Sequence, residues 1–556
     1  MVRGWWDECK SSHATCPTAW ESEVQLPTRV IDICSPGEAL QPRLYQKTLN
    51  PRPRSDQYAI LSHCWGPDIS AITRTVRANL EDMQRGIDMT TLSRNFKDAI
   101  LIARGLNIQY LWIDALCIIQ DSEEDWAQES GQMAKYYKNA CITISALASP
   151  GASHGILLPR LGDKHAAPIS HFQGAVFVRP ILDDVISIIG EDRFSSDDRP
   201  QLMNMPLFRR AWTLQERVLS RRIVHYSEQQ MVWQCKTCLL SEDGEYSSNE
   251  ATRTTGRLVD LLNVDSKSKV ATPARLSWHQ LVTEYTRRKI TYDSDKLPAM
   301  SALASETARL SGDKYLAGLW HKAIRDELLW EIYTDDESPP DHYRINNGSP
   351  TWSWASIKGK VTNDFPRWNR VPRDYDPRFL KHTIDPATSD PFGRVKGGSI
   401  VLSAFCHTYV GLQTFVQKGK ESRSKATGDE LSVSDVSASA VDSTCTDTDS
   451  ESEPRGWHQF HKLDVDIPNG KYDWVSHPHI IACMGEYNWD TRGTKPDAMK
   501  DPTNKYGHQE FLLLKRVRLD STGIYQRVGR ASSMLIDKRL AIIEAKGWTR
   551  RTITLV

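Results

Sequence analysis

The run Tyr58-Ala-Ile-Leu-Ser62 is apolar up to its last residue and is followed by His63-Cys-Trp-Gly-Pro, so it predicts a buried strand ending in a turn. Leu92, Phe96, Ala99, Ile100 and Ala103 then fall on one face of a helix, with Gly105 as its terminator. Tyr110 to Ile118 is nearly all apolar around Asp114, as a strand covered on both faces should be. After the polar loop 120–124, Asp125 suits an N-cap, and Trp126, Ser130, Met133, Tyr137 and Ala140 share one helical face. Cys141 to Leu147 supplies a third strand. This alternation predicts an open α/β sheet with parallel neighbours near Ala59–Ser62, Leu111–Ala115 and Ile142–Ser145. In such sheets ligands bind beyond the carboxyl ends of the strands, which points to Ser62–Gly66, the loop after Asp114 and the residues after Ser145.

Phe208 to Ser220 predicts a further helix. On it Trp212, Glu216 and Leu219 lie at i, i+4 and i+7, so a carboxylate shares a face with two large apolar groups. Strands are expected at 221–227 and 230–235, and a helix-rich stretch from about 250 to Trp330. Glu421 to Glu453 holds nine Ser and nine acidic residues against two basic ones, with no aromatic. Such a segment cannot build a core and reads as a disordered acidic linker.

Composition narrows the function classes. Seventy Lys and Arg balance seventy Asp and Glu over 556 residues, so no overall basic field exists to hold nucleic acid or anionic lipid. No run approaches the roughly 20 apolar residues of a membrane span, and the first residues have no signal-peptide pattern. Eleven cysteines, an odd number spread over a long chain, read as reduced thiols in a cytoplasmic protein. Neither a repeat period nor a G-x-x-x-x-G-K loop is present.

Three blocks carry a family resemblance: Tyr58-Ala-Ile-Leu-Ser-His-Cys-Trp-Gly; Leu111-Trp-Ile-Asp-Ala-Leu-Cys-Ile-Ile-Gln-Asp with Asp125-Trp126, Met133 and Tyr137; and Arg210-Ala-Trp-Thr-Leu-Gln-Glu-Arg-Val-Leu-Ser. Together they resemble the fungal heterokaryon-incompatibility (HET) domain. Leu297-Pro-Ala, Ala317-Gly-Leu-Trp and Trp352-Ser-Trp-Ala are similar to segments that often follow one. The resemblance implies non-self recognition between fused fungal cells and regulated cell death. It also implies protein partners or self-association, with neither nucleic acid nor membrane involved. The domains expected are an N-terminal extension (1–57), a HET core (58–247) with an insertion at about 149–207, and a helix-rich then β-containing region (248–420). The acidic linker (421–453) and a β-rich segment (454–556) complete the chain.

The strand and helix order is also similar to a TIR domain, and that resemblance implies a flavodoxin-like open parallel sheet. In NAD-cleaving TIR members a Trp is followed four residues later by a catalytic Glu, a spacing that Trp212 and Glu216 match. No cofactor is then required, and NAD would be a substrate. Two readings of Glu216 stand side by side: a structural partner of Arg210, Arg217 or Arg221, or the group that stabilises a ribosyl cation as nicotinamide leaves. Ser62, His63, Trp65, Asp114 and Trp212 are the accompanying ligand-binding candidates, Asp114 and Trp65 each having a plain structural reading as well. A thiol-protease role for Cys64 is set aside, because a strand end lacks the helix N-terminus that activates such a nucleophile. Cys9, His13, Cys16 and Cys34 have metal-ligand types but not the spacing of a standard finger. They read first as buried thiols, with a zinc-stabilised scaffold kept as an alternative function, and Cys235-x-x-Cys238 alone is no more specific.

Overall fold

The computed structural model describes residues 1–13, 16, 26–33, 41–46, 57–70, 72–159, 167–168, 177–178, 205–244, 247–248, 271–332, 344–363, 369–371, 374, 376–409, 479–488, 507–517, 523–535 and 548–556. The stretch 421–453 and most of the expected insertion lie outside these. The chain divides into two compact units.

The first unit takes in Met1–Lys269, Arg288–Ile290 and Ser305–Leu310. It opens with α1 (Val2–Ser12), β1 (Arg29–Asp32) and β2 (Arg43–Gln46). Next come β3 (Tyr58–Ser62), α2 (Leu80–Arg85), α3 (Arg94–Gly105), β4 (Tyr110–Trp112), α4 (Asp114–Cys117), α5 (Glu123–Asn139) and β5 (Ile142–Ser145). Then follow α6 (Thr213–Leu219), β6 (Arg222–Tyr226), β7 (Met231–Cys235), β8 (Leu239–Ser241) and β9 (Ser247–Ser248). One nine-stranded sheet joins all nine strands in the order β9-β8-β7-β6-β5-β3-β4-β1-β2.

Its middle four strands, β4-β3-β5-β6, are parallel, and Ser62 stands opposite Ser145 in the β3–β5 register. The expected neighbours are therefore neighbours. The sheet as a whole is mixed rather than parallel: β1 pairs antiparallel with β2 and β4, and β6 to β9 form an antiparallel run. The turn from Tyr226 to Met231 is too short for the crossover that a parallel pair needs. Strands β1 and β2, ahead of residue 58, thus belong to the same sheet as the core. Tyr58, Ala59 and Ile60 are fully buried, as the continuous apolar run of β3 implies.

Three element boundaries differ from the pattern reading. The strand expected at Leu111–Ala115 stops at Trp112, and Asp114 opens α4, where its carboxylate accepts from the Ala115 N–H (2.7 Å). A side chain that bonds the local backbone favours such a start over a strand interior. Helix α5 is capped by Ser122, whose hydroxyl accepts from the Asp125 N–H (3.3 Å). Asp125, released from capping, binds the buried guanidinium of Arg29 at 2.5 and 2.6 Å and the Ile119 N–H at 2.8 Å. The helix expected at 208–220 is split, because Arg210 is extended and bridges Lys289 between a 3-10 turn (Leu207–Arg209) and α6.

The second unit takes in 270–287, 291–304 and 311–556. Its helical part is α7 (Ala271–Thr286) and the first half of α8 (Pro298–Ser311). Its strands are β10 (Asn369–Val371), β11 (Arg378–Pro386), β12 (Val395–Tyr409), β13 (His479–Asn488), β14 (Gly507–Arg516), β15 (Ile524–Leu535) and β16 (Thr549–Leu555). Long β12 pairs with β16 through Ile400–Cys406 and with β13 through Cys406–Tyr409, so β12 to β16 close into a five-stranded ring.

Trp278, Trp320, Trp330, Trp352 and Trp354 are buried in this unit. The indole N–H groups of Trp278 and Trp354 both donate to the Gly318 carbonyl (3.0 and 2.9 Å), and Ser353 Oγ donates to the Ala317 carbonyl (2.6 Å). Gly318 has φ +104°, and a Cβ there would stand 2.7 Å from Trp354 Nε1. Strain and overlap together predict that Gly318→Ala costs about 2–5 kcal/mol. Thermal unfolding checks this, and a variant melting like wild type would refute the close fit.

Candidate functional site

Side chains from the carboxyl ends of the parallel strands meet side chains at the start of α6. Ser62, the last residue of β3, donates its hydroxyl to Glu216 Oε2 at 2.5 Å, both groups being buried. Tyr137, on α5, turns its hydroxyl to the same carboxyl. Burial pushes the Glu216 carboxyl above the usual range, while Arg210, the Ser62 hydroxyl and the Tyr137 hydroxyl pull it back. The neighbouring Asp114 charge also pushes it up.

His63, one residue past the strand, is 2% exposed. Burial holds its imidazole down at about 4, so the ring is neutral at pH 7, Asp114 pulling the other way and Arg210 adding to the effect. Its Nδ1 lies 3.7 Å from Asp114 Oδ1, and its ring packs edge-on against Phe96. Among the described residues its Nε2 is buried without a hydrogen-bond partner. Such an orphan is costly to a fold and is satisfied by a ligand or a water. Arg210 donates to the His63 carbonyl, and Trp65 Nε1 donates to Asp114 Oδ2 at 2.8 Å. Asp114, Trp65, Arg210 and Trp212 are the partly exposed members beside this buried set.

The segment after β5, whose Ala152 N–H donates to the Trp65 carbonyl (3.2 Å), is held from α3. Asn95 donates to Ser149 Oγ (2.9 Å) and accepts from the Gly155 N–H (2.8 Å), and Asp98 Oδ2 accepts from the N–H groups of Ile156 (2.7 Å) and Leu157 (3.1 Å). Gly66, at φ +93°, brings its backbone so close to Gly151 that a Cβ would stand 3.1 Å from its Cα.

Of the residues singled out by sequence, Ser62, His63, Trp65, Asp114 and Glu216 come together in one neighbourhood, in which Ser62 bonds Glu216 and Trp65 bonds Asp114. Trp212 sits at the N-cap of α6, four residues before Glu216. Arg217, one of the structural partners weighed for Glu216, instead lies over the Phe208 ring, 5.1 Å from its centroid. Tyr137, Asn95 and Asp98 had no role assigned by pattern. Tyr137 carried a signal only as a motif position, whereas Asn95 and Asp98 sit among helix polar positions and act through loops distant in sequence. Cys64 packs with Leu147, Leu207, Phe208, Val232 and Leu239, and burial pushes its thiol up to about 11, which suits a core residue rather than a nucleophile.

A second cluster forms elsewhere in this unit. Cys9, His13 and Cys16 are joined by Cys235, with their ligand atoms all within 4.8 Å of one another. Cys34 lies outside the described residues. A small cavity in the second unit, lined by Trp278, His279, Glu327 and Trp354 among others, includes no candidate named above.

The class these features define is an α/β domain whose buried polar cluster stands at the carboxyl edge of its parallel strands. Residues 58–216 match the family model for heterokaryon incompatibility protein (HET). No curated protein and no solved structure matches the chain.

Proposed function

We propose that the chain is a heterokaryon-incompatibility effector that triggers cell death in fungal non-self recognition by cleaving NAD at the Ser62–Glu216 site. A role related to heterokaryon incompatibility follows from the HET domain itself. The enzymatic reading rests above all on the Ser62–Glu216 hydrogen bond at the end of β3. Taken in chain order, the four parallel strands are arranged second-first-third-fourth, so the order reverses between β3 and β5. Open sheets bind their ligands at such a reversal, and the flavodoxin-like order supports the TIR comparison.

In the proposed reaction the bond between ribose C1′ and the nicotinamide nitrogen breaks, and the electron pair leaves with neutral nicotinamide. The Glu216 carboxylate stabilises the ribosyl cation, Ser62 and Tyr137 orient that carboxylate, and water adds at C1′ and releases a proton. The orphan His63 Nε2 offers the bound nucleotide a hydrogen bond. Burial that raises the Glu216 carboxyl is a folding cost, and such costs concentrate at functional sites.

No helix among the described residues is long and apolar enough to cross a membrane. The reading is tested by incubating the purified full-length protein with NAD, at concentrations that allow self-association, and separating the products. Nicotinamide and ADP-ribose in equal amounts are expected. Protein that kills its host cell while leaving NAD intact would defeat the enzyme reading in favour of a self-associating signalling module.

A further inference from the structure

We infer that Cys9, His13, Cys16 and Cys235 form a structural zinc site that fastens the N-terminal helix to the β7–β8 hairpin of the HET-containing unit. The sequence separates Cys235 from the other three by more than two hundred positions, yet the fold brings all four donor atoms within 4.8 Å of one another. Cys9 lies in the last turn of α1 and His13 is the residue that caps its end, while the Cys16 N–H donates to the His13 carbonyl (3.1 Å) and so folds the third residue back toward them. Cys235 ends β7 and begins the tight Cys235-Lys-Thr-Cys238 turn into β8.

The distances suit tetrahedral zinc. Two sulfurs each 2.3 Å from zinc would stand about 3.8 Å apart. Here Cys235 Sγ lies 3.4 Å from His13 Nδ1, and the whole set stays within 4.8 Å. Three thiolates and an imidazole are a donor set that zinc takes in closed structural sites. Cys238 stands beside them, its sulfur 3.6 Å from Cys235 Sγ and 4.0 Å from His13 Nε2.

The surroundings also suit thiolate charge. The backbone N–H groups of Thr237 and Cys238 both point at Cys235 Sγ (3.4 Å each), and Arg222 Nε donates to Cys9 Sγ at 3.2 Å. Donors aimed at ligand sulfurs orient them and spread their charge. The four sulfurs of Cys9, Cys16, Cys235 and Cys238 are free thiols and buried. Binding would release the thiol protons to solvent and stabilise the fold by favouring the state in which the site exists. The bond joins a segment ahead of residue 58 to one beyond Glu216, so it closes the unit across both ends of the matched family region.

The full-length protein, purified without chelator, should carry one zinc ion per chain by elemental analysis. Alkylation followed by mass spectrometry supplies a readout that needs no variant. Cys9, Cys16 and Cys235 should resist modification until a strong chelator is added, while buried Cys141 and Cys406 should stay protected throughout. Cobalt(II) put in place of zinc should show thiolate charge-transfer bands and the intense visible bands of a tetrahedral site. Cys16→Ser and Cys235→Ser should lose the metal and melt lower, whereas Glu216→Gln should keep it, which separates this site from the proposed catalytic one. Protein free of transition metal, with an alkylation pattern unchanged by chelator, would overturn the inference.

Discussion

Glu216→Gln should melt at or slightly above the wild-type temperature and yet lose NAD cleavage and host-cell killing. Burial raises the Glu216 carboxyl, so its negative charge works against folding as pH rises above the ordinary carboxylate range. An amide of the same shape removes that charge while still accepting from the Ser62 hydroxyl that now donates at 2.5 Å. The loss of transition-state stabilisation should lower the rate about 100- to 1,000-fold or more, the usual effect of removing one preorganised electrostatic group. A structural role makes the opposite forecast. If the carboxylate chiefly neutralises Arg210, the amide leaves that partly exposed cation without its counterion and lowers the melting temperature. Paired melts and NAD assays on the two proteins decide between these outcomes, and a variant that melts far lower while retaining activity would rule out the catalytic role.

Acid should loosen the first unit before pH 5 because two of its histidines are buried in the neutral state. His63 is held at about 4 and His225 at about 3, chiefly by burial, with Arg210 acting on the first and Arg217 on the second. His225 also bonds Ser145 Oγ (3.0 Å) and Gln234 Oε1 (3.1 Å) through its two ring nitrogens. Unfolded, each ring takes up a proton near pH 6.5; folded, it does so only near 3–4. The unfolded state therefore binds more protons as pH falls through that window, and stability falls with it. Between pH 7 and pH 5 the loss is about 2 kcal/mol for each histidine. Glu216 and Glu129, both raised by burial, work the other way and reduce the net slope. His225→Gln isolates one contribution: its unfolding free energy should fall about 2 kcal/mol less than wild type over the same interval. Equal losses in the two proteins would show that His225 is not a buried neutral ring.

The strands and helices of the core were legible because their apolar runs are long and their periods change cleanly. β3 and β5 ended where the polar residues Ser62 and Ser145 said they should. Boundaries failed where a side chain redirected the backbone. Asp114 was read as an interruption in a strand, although its carboxylate starts a helix by accepting the next N–H. Asp125 was read as a cap, although its carboxylate is drawn to Arg29, nearly a hundred residues earlier in the chain. The split near Arg210 depends on Lys289, which no local pattern could supply.

The candidate site was legible in part for the same reason. Ser62 could be placed from the rule that ligands gather at strand ends, and Glu216 from the mismatch of a carboxylate on an apolar face. Their contact spans 154 positions and is written in no local period. The thiol cluster shows the limit more sharply. Cys9, His13 and Cys16 looked nonspecific because their fourth member, Cys235, arrives from the end of β7, more than two hundred positions along the chain. Cys34, which had been grouped with them, lies outside the described residues.

The neighbourhood of Ser62, His63 and Glu216 is expected to receive the nicotinamide riboside half of NAD. A structure of the full-length protein with an NAD analogue whose glycosidic bond cannot break tests it most directly. The ribose hydroxyls should lie within hydrogen-bond distance of Glu216, displacing or sharing the Ser62 hydroxyl, with His63 Nε2 engaged by the nucleotide. An analogue bound elsewhere, or not bound at concentrations where the protein is active, with the Ser62–Glu216 pair unchanged, would show that this neighbourhood is not where NAD is cleaved.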